Sequence, residues 1–137
     1  MERVLGIGGL FMRATDREGL AGWYRDNLGI NLHEEWWGGL FPLTHPDDSG
    51  GAHNLWSVYS DEPGKDGKRP AAFSLSFRVR DLDAMLAQLK SNGNEAADGE
   101  HSEYGDFGYV IDPEGNRIEL WQPPAALPPD WRTVVTE

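Results

Sequence analysis

Four histidines (His33, His45, His53 and His101), two arginines 65 residues apart (Arg13 and Arg78), Tyr109 and Glu119 are the side chains of this chain on which chemistry could rest. A pair of guanidiniums can clamp a carboxylate or another polar ligand group, because each planar fork donates two parallel hydrogen bonds. General acid–base work needs a group that titrates beside a substrate proton. Glu119, Tyr109 and His33 are the candidates, and the residues by themselves give none of them a catalytic role. No cysteine is present, which removes thiolate metal sites, thiol nucleophiles and disulfides together. The cluster Gly6-Ile7-Gly8-Gly9 does not make a dinucleotide loop, since Phe11 stands where a further glycine is required and no helix opens behind it. A strand bend or a close approach of backbones accounts for those glycines.

The elements that must hold these residues can be read from periodicity. Residues 4–14 are apolar and rich in strand formers. Thr15 followed three residues later by Glu18 has the form of a capping box, and Leu20, Trp23, Tyr24 and Leu28 then recur at helical spacing until Gly29 supplies the stop. Strands are expected over 30–37, 40–43 and 53–59, with a polar loop over 44–52. Residues 60–70, with Pro63, Gly64, Gly67 and Pro70 among charges, read as a linker. The order then repeats: a strand over 71–79, a helix capped by Asp81 with Leu82, Met85, Leu86 and Leu89 on its apolar face and Gly93 at its end, and strands over 104–111 and 117–122. Asp112-Pro113-Glu114-Gly115-Asn116 joins the last two strands as a tight hairpin, proline presetting one torsion and glycine accepting a positive φ. A shift of 65 residues lays Asp16 on Asp81, Leu20 on Met85, Tyr24 on Leu89, Leu10 on Leu75 and Met12 on Phe77, so the two halves share order and register with few identities.

A length of 137 residues fits one domain, here read as residues 4–60 and 71–123 flanking the linker, with a proline-rich tail over 124–137. With 39% apolar and 26% charged residues the chain can build a core. A net charge of −11 repels phosphate backbones and anionic lipid headgroups, which argues against nucleic acid or a membrane surface as partner. No apolar run approaches the ~18 residues of a membrane span. The first residues carry no basic leader or signal-type apolar run, so a cytoplasmic location is expected.

In its paired motifs Trp23-Tyr24-Arg25-Asp26-Asn27-Leu28-Gly29 and Asp112-Pro113-Glu114-Gly115-Asn116-Arg117-Ile118-Glu119-Leu120, with Phe77-Arg78-Val79-Arg80-Asp81-Leu82-Asp83 between them, the sequence resembles the vicinal oxygen chelate superfamily of glyoxalase I, extradiol dioxygenases, fosfomycin-resistance transferases and bleomycin-binding proteins. The resemblance touches roughly residues 4–123. It implies an α+β fold of two tandem βαβββ modules that form a curved mixed sheet around a cavity. Metal-dependent members place a His or Glu on each of four strands. Carried over position by position, that set falls on Gly9, on Ser74, near Trp56 or Val58, and on Glu119, which alone matches a ligand position. One carboxylate without an imidazole is a poor site for a catalytic divalent ion. No cofactor is therefore expected, although a divalent metal held by a rearranged set that draws on His33 or His53 remains an alternative. Glu119 can equally be a strand carboxylate paired with an arginine.

Under this fold, strand alternation sends every second residue to one face. If the parity of Gly9 faces the cavity, Phe11 and Arg13 do so too, and Ser74, Ser76 and Arg78 share that face in the second half. The opposite parity, Leu10, Met12, Leu75, Phe77 and Val79, should pack beneath the helices. Trp56, Phe107, Tyr109 and Trp121 would line the cup, and such rings suit a flat organic ligand or, equally, fill an ordinary core. The expected ligand-binding set is thus Phe11, Arg13, Trp56, Ser74, Ser76, Arg78, Phe107, Tyr109, Glu119 and Trp121. The expected function is metal-free binding of a small, partly aromatic molecule. The alternatives are a metal-dependent lyase, isomerase or dioxygenase, and metal-independent chemistry in the same pocket. Relatives of this kind often pair, so a homodimer is expected.

Overall fold

The computed structural model describes residues 10, 14, 16–30, 32, 37, 46–53, 63–68, 71 and 74–129. The strands expected over 4–14, 30–37, 40–43 and 53–59 fall almost wholly outside these residues. Among those described, two helices and four strands form an α+β unit: α1 (Arg17–Leu28), β1 (Leu75–Arg78), α2 (Leu82–Ser91), β2 (Ala96–Ser102), β3 (Gly105–Ile111) and β4 (Arg117–Gln122). The second half is therefore one complete βαβββ unit. Its sheet has the order β1-β4-β3-β2, with β1 parallel to β4 and the other pairs antiparallel.

Local chemistry explains the helices. Asp16 and Asp81, equivalent under the 65-residue shift, are both N-caps, and each carboxylate accepts the backbone N–H three residues on, from Gly19 and from Ala84, at 2.9 Å. The cap of α1 is thus Asp16, one residue beyond the Thr15 of the expected box, and its carboxylate satisfies a first-turn amide. Gly29 ends α1 in the left-handed region at φ 67, and Gly93 follows α2 at φ 81.

The helices cover one face of the sheet. Leu20, Tyr24, Leu82, Leu86, Leu89, Val110, Ile118 and Leu120 form the buried core, with Leu75, Phe77 and Val79 packed against it. That is the parity expected for the second half. Leu10, expected beneath the helices, is instead 52% exposed: the inner faces of α1 and α2 are already filled by one another and by the sheet. Amides stitch the helix ends together. Asn27 Oδ1 accepts from Asn92 Nδ2 at 3.1 Å and from Asn94 Nδ2 at 2.7 Å, while Trp23 Nε1 donates to Asn94 Oδ1 at 2.8 Å. Asn27 and Asn92 are themselves 65 residues apart, so the repeat meets itself at this contact.

The hairpin between β3 and β4 is built around Asp112, which is 4% exposed. Its Oδ1 accepts from the Glu114 and Asn116 amides at 2.9 Å, and its Oδ2 accepts from Asn116 Nδ2 and from the Tyr24 hydroxyl, both at 2.8 Å. The last bond ties α1 to the second half. Two strand boundaries differ from expectation. Among the described residues of the stretch 71–79, Leu75–Arg78 form the strand and the Val79 amide donates to the Trp121 carbonyl at 2.8 Å just beyond it, and β3 begins at Gly105 because Tyr104 lies in the turn. The second strand of the unit lies at Ala96–Ser102, whose AADGEHS sequence carries no strand pattern and is held by pairing with β3.

Candidate functional site

The sheet face away from the helices carries the expected ligand residues of the second half in two adjacent rows. Arg78 of β1 lies beside Trp121 of β4, which lies beside Phe107 of β3. One step along, Ser76, Glu119 and Tyr109 are neighbours in the same strand order, and Ala97 of β2 extends that row. Alternation in β4 sends Ile118 and Leu120 into the core, which leaves Glu119 and Trp121 for this face. Ser74 precedes β1 with the same parity and is exposed. Phe11, Arg13, Trp56 and Gly9 lie outside the described residues.

The rings of this face are held in fixed positions. Trp121 is 1% exposed, stacks on Phe107 with centroids 6.3 Å apart, and donates Nε1 to the Tyr104 carbonyl at 2.9 Å. Gly105 makes room for it. Its φ is 113, and a Cβ there would overlap the Gln122 carbonyl oxygen and press on Trp121 Nε1. Arg117 lies over the Tyr109 ring, its guanidinium carbon 4.4 Å from the centroid, a cation–π contact. Glu119 is part-buried between Ser76 and Tyr109 and makes no ion pair among the described residues, so the expected arginine partner is not found there. Arg78 points its fork at a carboxylate of the chain itself: Nε lies 3.3 Å from Asp48 Oδ1 and Nη2 lies 3.2 Å from Oδ2. Asp48 belongs to the loop 46–53, and nothing in its acidic, turn-forming sequence marks it as a partner for Arg78.

Two clefts lined by described residues lie elsewhere. The larger, about 410 Å³, is lined by Arg80, Asp81, Asp83, His101, Asp106 and Gln122. It sits on the helix side of the sheet, since Gln122 pairs with Asp106 in the same parity as Leu120 with Gly108. Here His101 spans a β-bulge, its Nε2 2.8 Å from Asp98 and its Nδ1 2.9 Å from Asp106. Hydrogen bonds to Asp98 and then to Asp106 push its pKa up to about 9. The Asp98 carboxyl is lowered, chiefly by the same bond. Sequence reading gave this histidine no role, because its two partners meet it only through the irregular pairing of β2 and β3. The smaller cleft, about 230 Å³, lies under the loop 46–53 and involves Asp47, Asp48, Ser49, Val79, Arg80 and Gln122 among others. His53 turns Nδ1 to the Gly51 carbonyl at 3.2 Å, and His33 and His45 lie outside the described residues. Among the described residues no group of three or more His, Asp or Glu side chains could hold a metal ion, and no helix is long and apolar enough to cross a membrane.

The model of the Glyoxalase/Bleomycin resistance protein/Dioxygenase superfamily matches residues 6–120. Among solved structures, the chain is similar to TnmS3, an antibiotic binding protein from Streptomyces sp. CB03234, at 20% identity and a TM-score of 0.48, with 80% of this chain and 88% of that one covered. A glyoxalase/bleomycin resistance protein from the same organism is similar at 20% identity and a TM-score of 0.47, covering 79% and 92%. A superfamily member from Sphaerobacter thermophilus is similar at 20% identity and a TM-score of 0.46, covering 80% and 90%. No curated protein matches the chain.

Proposed function

Because this chain belongs to the Glyoxalase/Bleomycin resistance protein/Dioxygenase superfamily, we propose that it binds a small, partly aromatic organic molecule in a cavity whose metal site is largely lost. The observation that carries this reading is the pair of rows Arg78-Trp121-Phe107 and Ser76-Glu119-Tyr109 on the sheet face opposite the core. The part-buried Phe107 ring, backed by the buried Trp121, offers apolar area, while the hydroxyl, carboxylate and phenol offer a few directed polar contacts, the usual make-up of a small-molecule site. Phe11, Arg13 and Trp56 join this set by the sequence reading. Gly9 and Ser74 stand where metal-dependent members hold histidine, and neither glycine nor a serine hydroxyl replaces an imidazole as a ligand for a borderline divalent ion.

A second reading, a metal-dependent lyase, isomerase or dioxygenase with a rearranged ligand set, is favoured by Glu119, a part-buried carboxylate on the ligand face with no ion pair among the described residues. Elemental analysis after loading with divalent metal separates the two. Binding without metal predicts substoichiometric metal that is unchanged in Glu119→Ala, together with a raised melting point for ligands found in a thermal-shift screen. Stoichiometric metal that is lost in Glu119→Ala would establish the second reading instead.

A further inference from the structure

The contact between the two halves includes an asparagine that is chemically labile. Of the chain's asparagines, Asn92 alone precedes a glycine. Glycine lacks the Cβ that would shield its backbone nitrogen, so that nitrogen can reach the side-chain amide before it. Asn92 caps α2 at its C-terminal end, is exposed, and leads into Gly93, which lies in the left-handed region at φ 81. Its Nδ2 donates to Asn27 Oδ1 at 3.1 Å, and the Gly93 amide donates to the Lys90 carbonyl at 3.0 Å. Asn27 is 8% exposed and lies in the last turn of α1, so the first of these bonds crosses from one half to the other. Asn94 and Asn116 differ in both respects. They precede Glu95 and Arg117, whose side chains crowd the backbone nitrogen. Their amide nitrogens are also held more closely, Asn94 Nδ2 by Asn27 Oδ1 at 2.7 Å and the Leu89 carbonyl at 3.1 Å, and Asn116 Nδ2 by Asp112 Oδ2 at 2.8 Å.

We propose that Asn92 is a site of spontaneous deamidation, gated by its bond to Asn27, and that the carboxylate formed there weakens the contact between the halves. The Gly93 nitrogen attacks Asn92 Cγ, and the new N–Cγ bond forms as the Cγ–Nδ2 bond breaks. The Gly93 amide proton leaves with Nδ2 as ammonia. Water then opens the cyclic imide at either carbonyl, giving aspartate or isoaspartate at position 92 with no change in oxidation state. In the closed turn both reacting groups are held, Asn92 Nδ2 by Asn27 and the Gly93 amide by the Lys90 carbonyl. Reaction therefore runs through the fraction of molecules in which this last turn has opened, and helix ends are where such opening costs least. Removing the Asn27 acceptor raises that fraction. In the product a carboxylate oxygen takes the place of Nδ2 and faces Asn27 Oδ1, acceptor against acceptor. The new negative charge also sits at the C-terminal end of α2, where the helix dipole disfavours it.

The test incubates the full chain, folded, in mildly alkaline buffer and follows each asparagine by peptide mass spectrometry, where conversion of amide to acid raises the mass. Cooperative unfolding in urea confirms that each variant is folded. Conversion is expected first at residue 92, ahead of Asn94 and Asn116, and to be lost there in Asn92→Gln, whose longer side chain closes the ring poorly. Asn27→Ala is expected to speed conversion at residue 92 about fivefold, the shift in opening that follows from losing one neutral hydrogen bond. Asn27→Asp, which keeps the accepting oxygen, stays near the parent rate. Asn27→Ser, with a shorter side chain, takes the place of Asn27→Ala if that variant does not fold. The product is made directly as Asn92→Asp and compared with Ser91→Asp, which adds the same charge at the neighbouring exposed position. Asn92→Asp should unfold at lower urea than Ser91→Asp. Conversion at residue 92 no faster than at Asn94 and Asn116 overturns the site. An unchanged rate in the folded Asn27→Ala or Asn27→Ser variant overturns the gate, and equal urea midpoints for Asn92→Asp and Ser91→Asp overturn the weakening of the contact.

Discussion

His101 holds a proton between two carboxylates at the surface, and the sign of its pH effect follows from that position. Its pKa is pushed from an ordinary 6.5 to about 9 by Asp98 and then Asp106. A group whose folded-state pKa is raised contributes stability that is complete below its unfolded value and is lost as pH rises through the folded value. The urea midpoint of the parent should therefore fall towards that of His101→Gln between about pH 6.5 and 9. Parallel curves for the two proteins would remove the triad from the account. Tyr24 is the buried counterpart. Burial first, and then the Asp112 carboxylate, push its hydroxyl far above the usual tyrosine value, so it stays a hydrogen-bond donor. Tyr24→Phe leaves Asp112 with three of its four donors and should cost about 1–3 kcal/mol in chemical denaturation. No change in the midpoint would mean that the bond is replaced by water.

At the scale of elements, each strand and helix of the second half is specified by a different kind of signal. The helices follow from caps and apolar spacing, β3 and β4 from alternation around a proline–glycine hairpin, and β2 from pairing alone. The turn from β2 into β3 matters most for the ligand face, because Gly105 lets the backbone pass beside Trp121. Gly105→Ala forces a side chain into the left-handed half of backbone space and against the Gln122 carbonyl, at a cost of about 1–3 kcal/mol. It should also move the Trp121 emission spectrum by shifting the indole away from the Tyr104 carbonyl. A stability loss with no change in tryptophan environment would separate the turn from the ring's position.

At the scale of the molecule, the two halves are joined by polar contacts between equivalent places of the repeat, Asn27 with Asn92, and by the bond from Tyr24 to Asp112. We propose a homodimer, and light scattering at micromolar concentration is expected to return twice the 15.3 kDa chain mass. A monomer under those conditions overturns it.

The sequence by itself determined the α+β class, both helices and the Asp81 cap of the second, the hairpin at Asp112, and the parity that puts Ser76, Arg78, Phe107, Tyr109, Glu119 and Trp121 on one face. Caps, turns and alternation are local, so the chain writes them within a few residues. Only the tertiary structure decided that Asp48 meets Arg78 across 30 residues, that Arg117 covers Tyr109, that His101 sits between two carboxylates, and that AADGEHS is a strand. Those contacts join residues through pairing register and loop path, and neither leaves a periodic trace in the sequence.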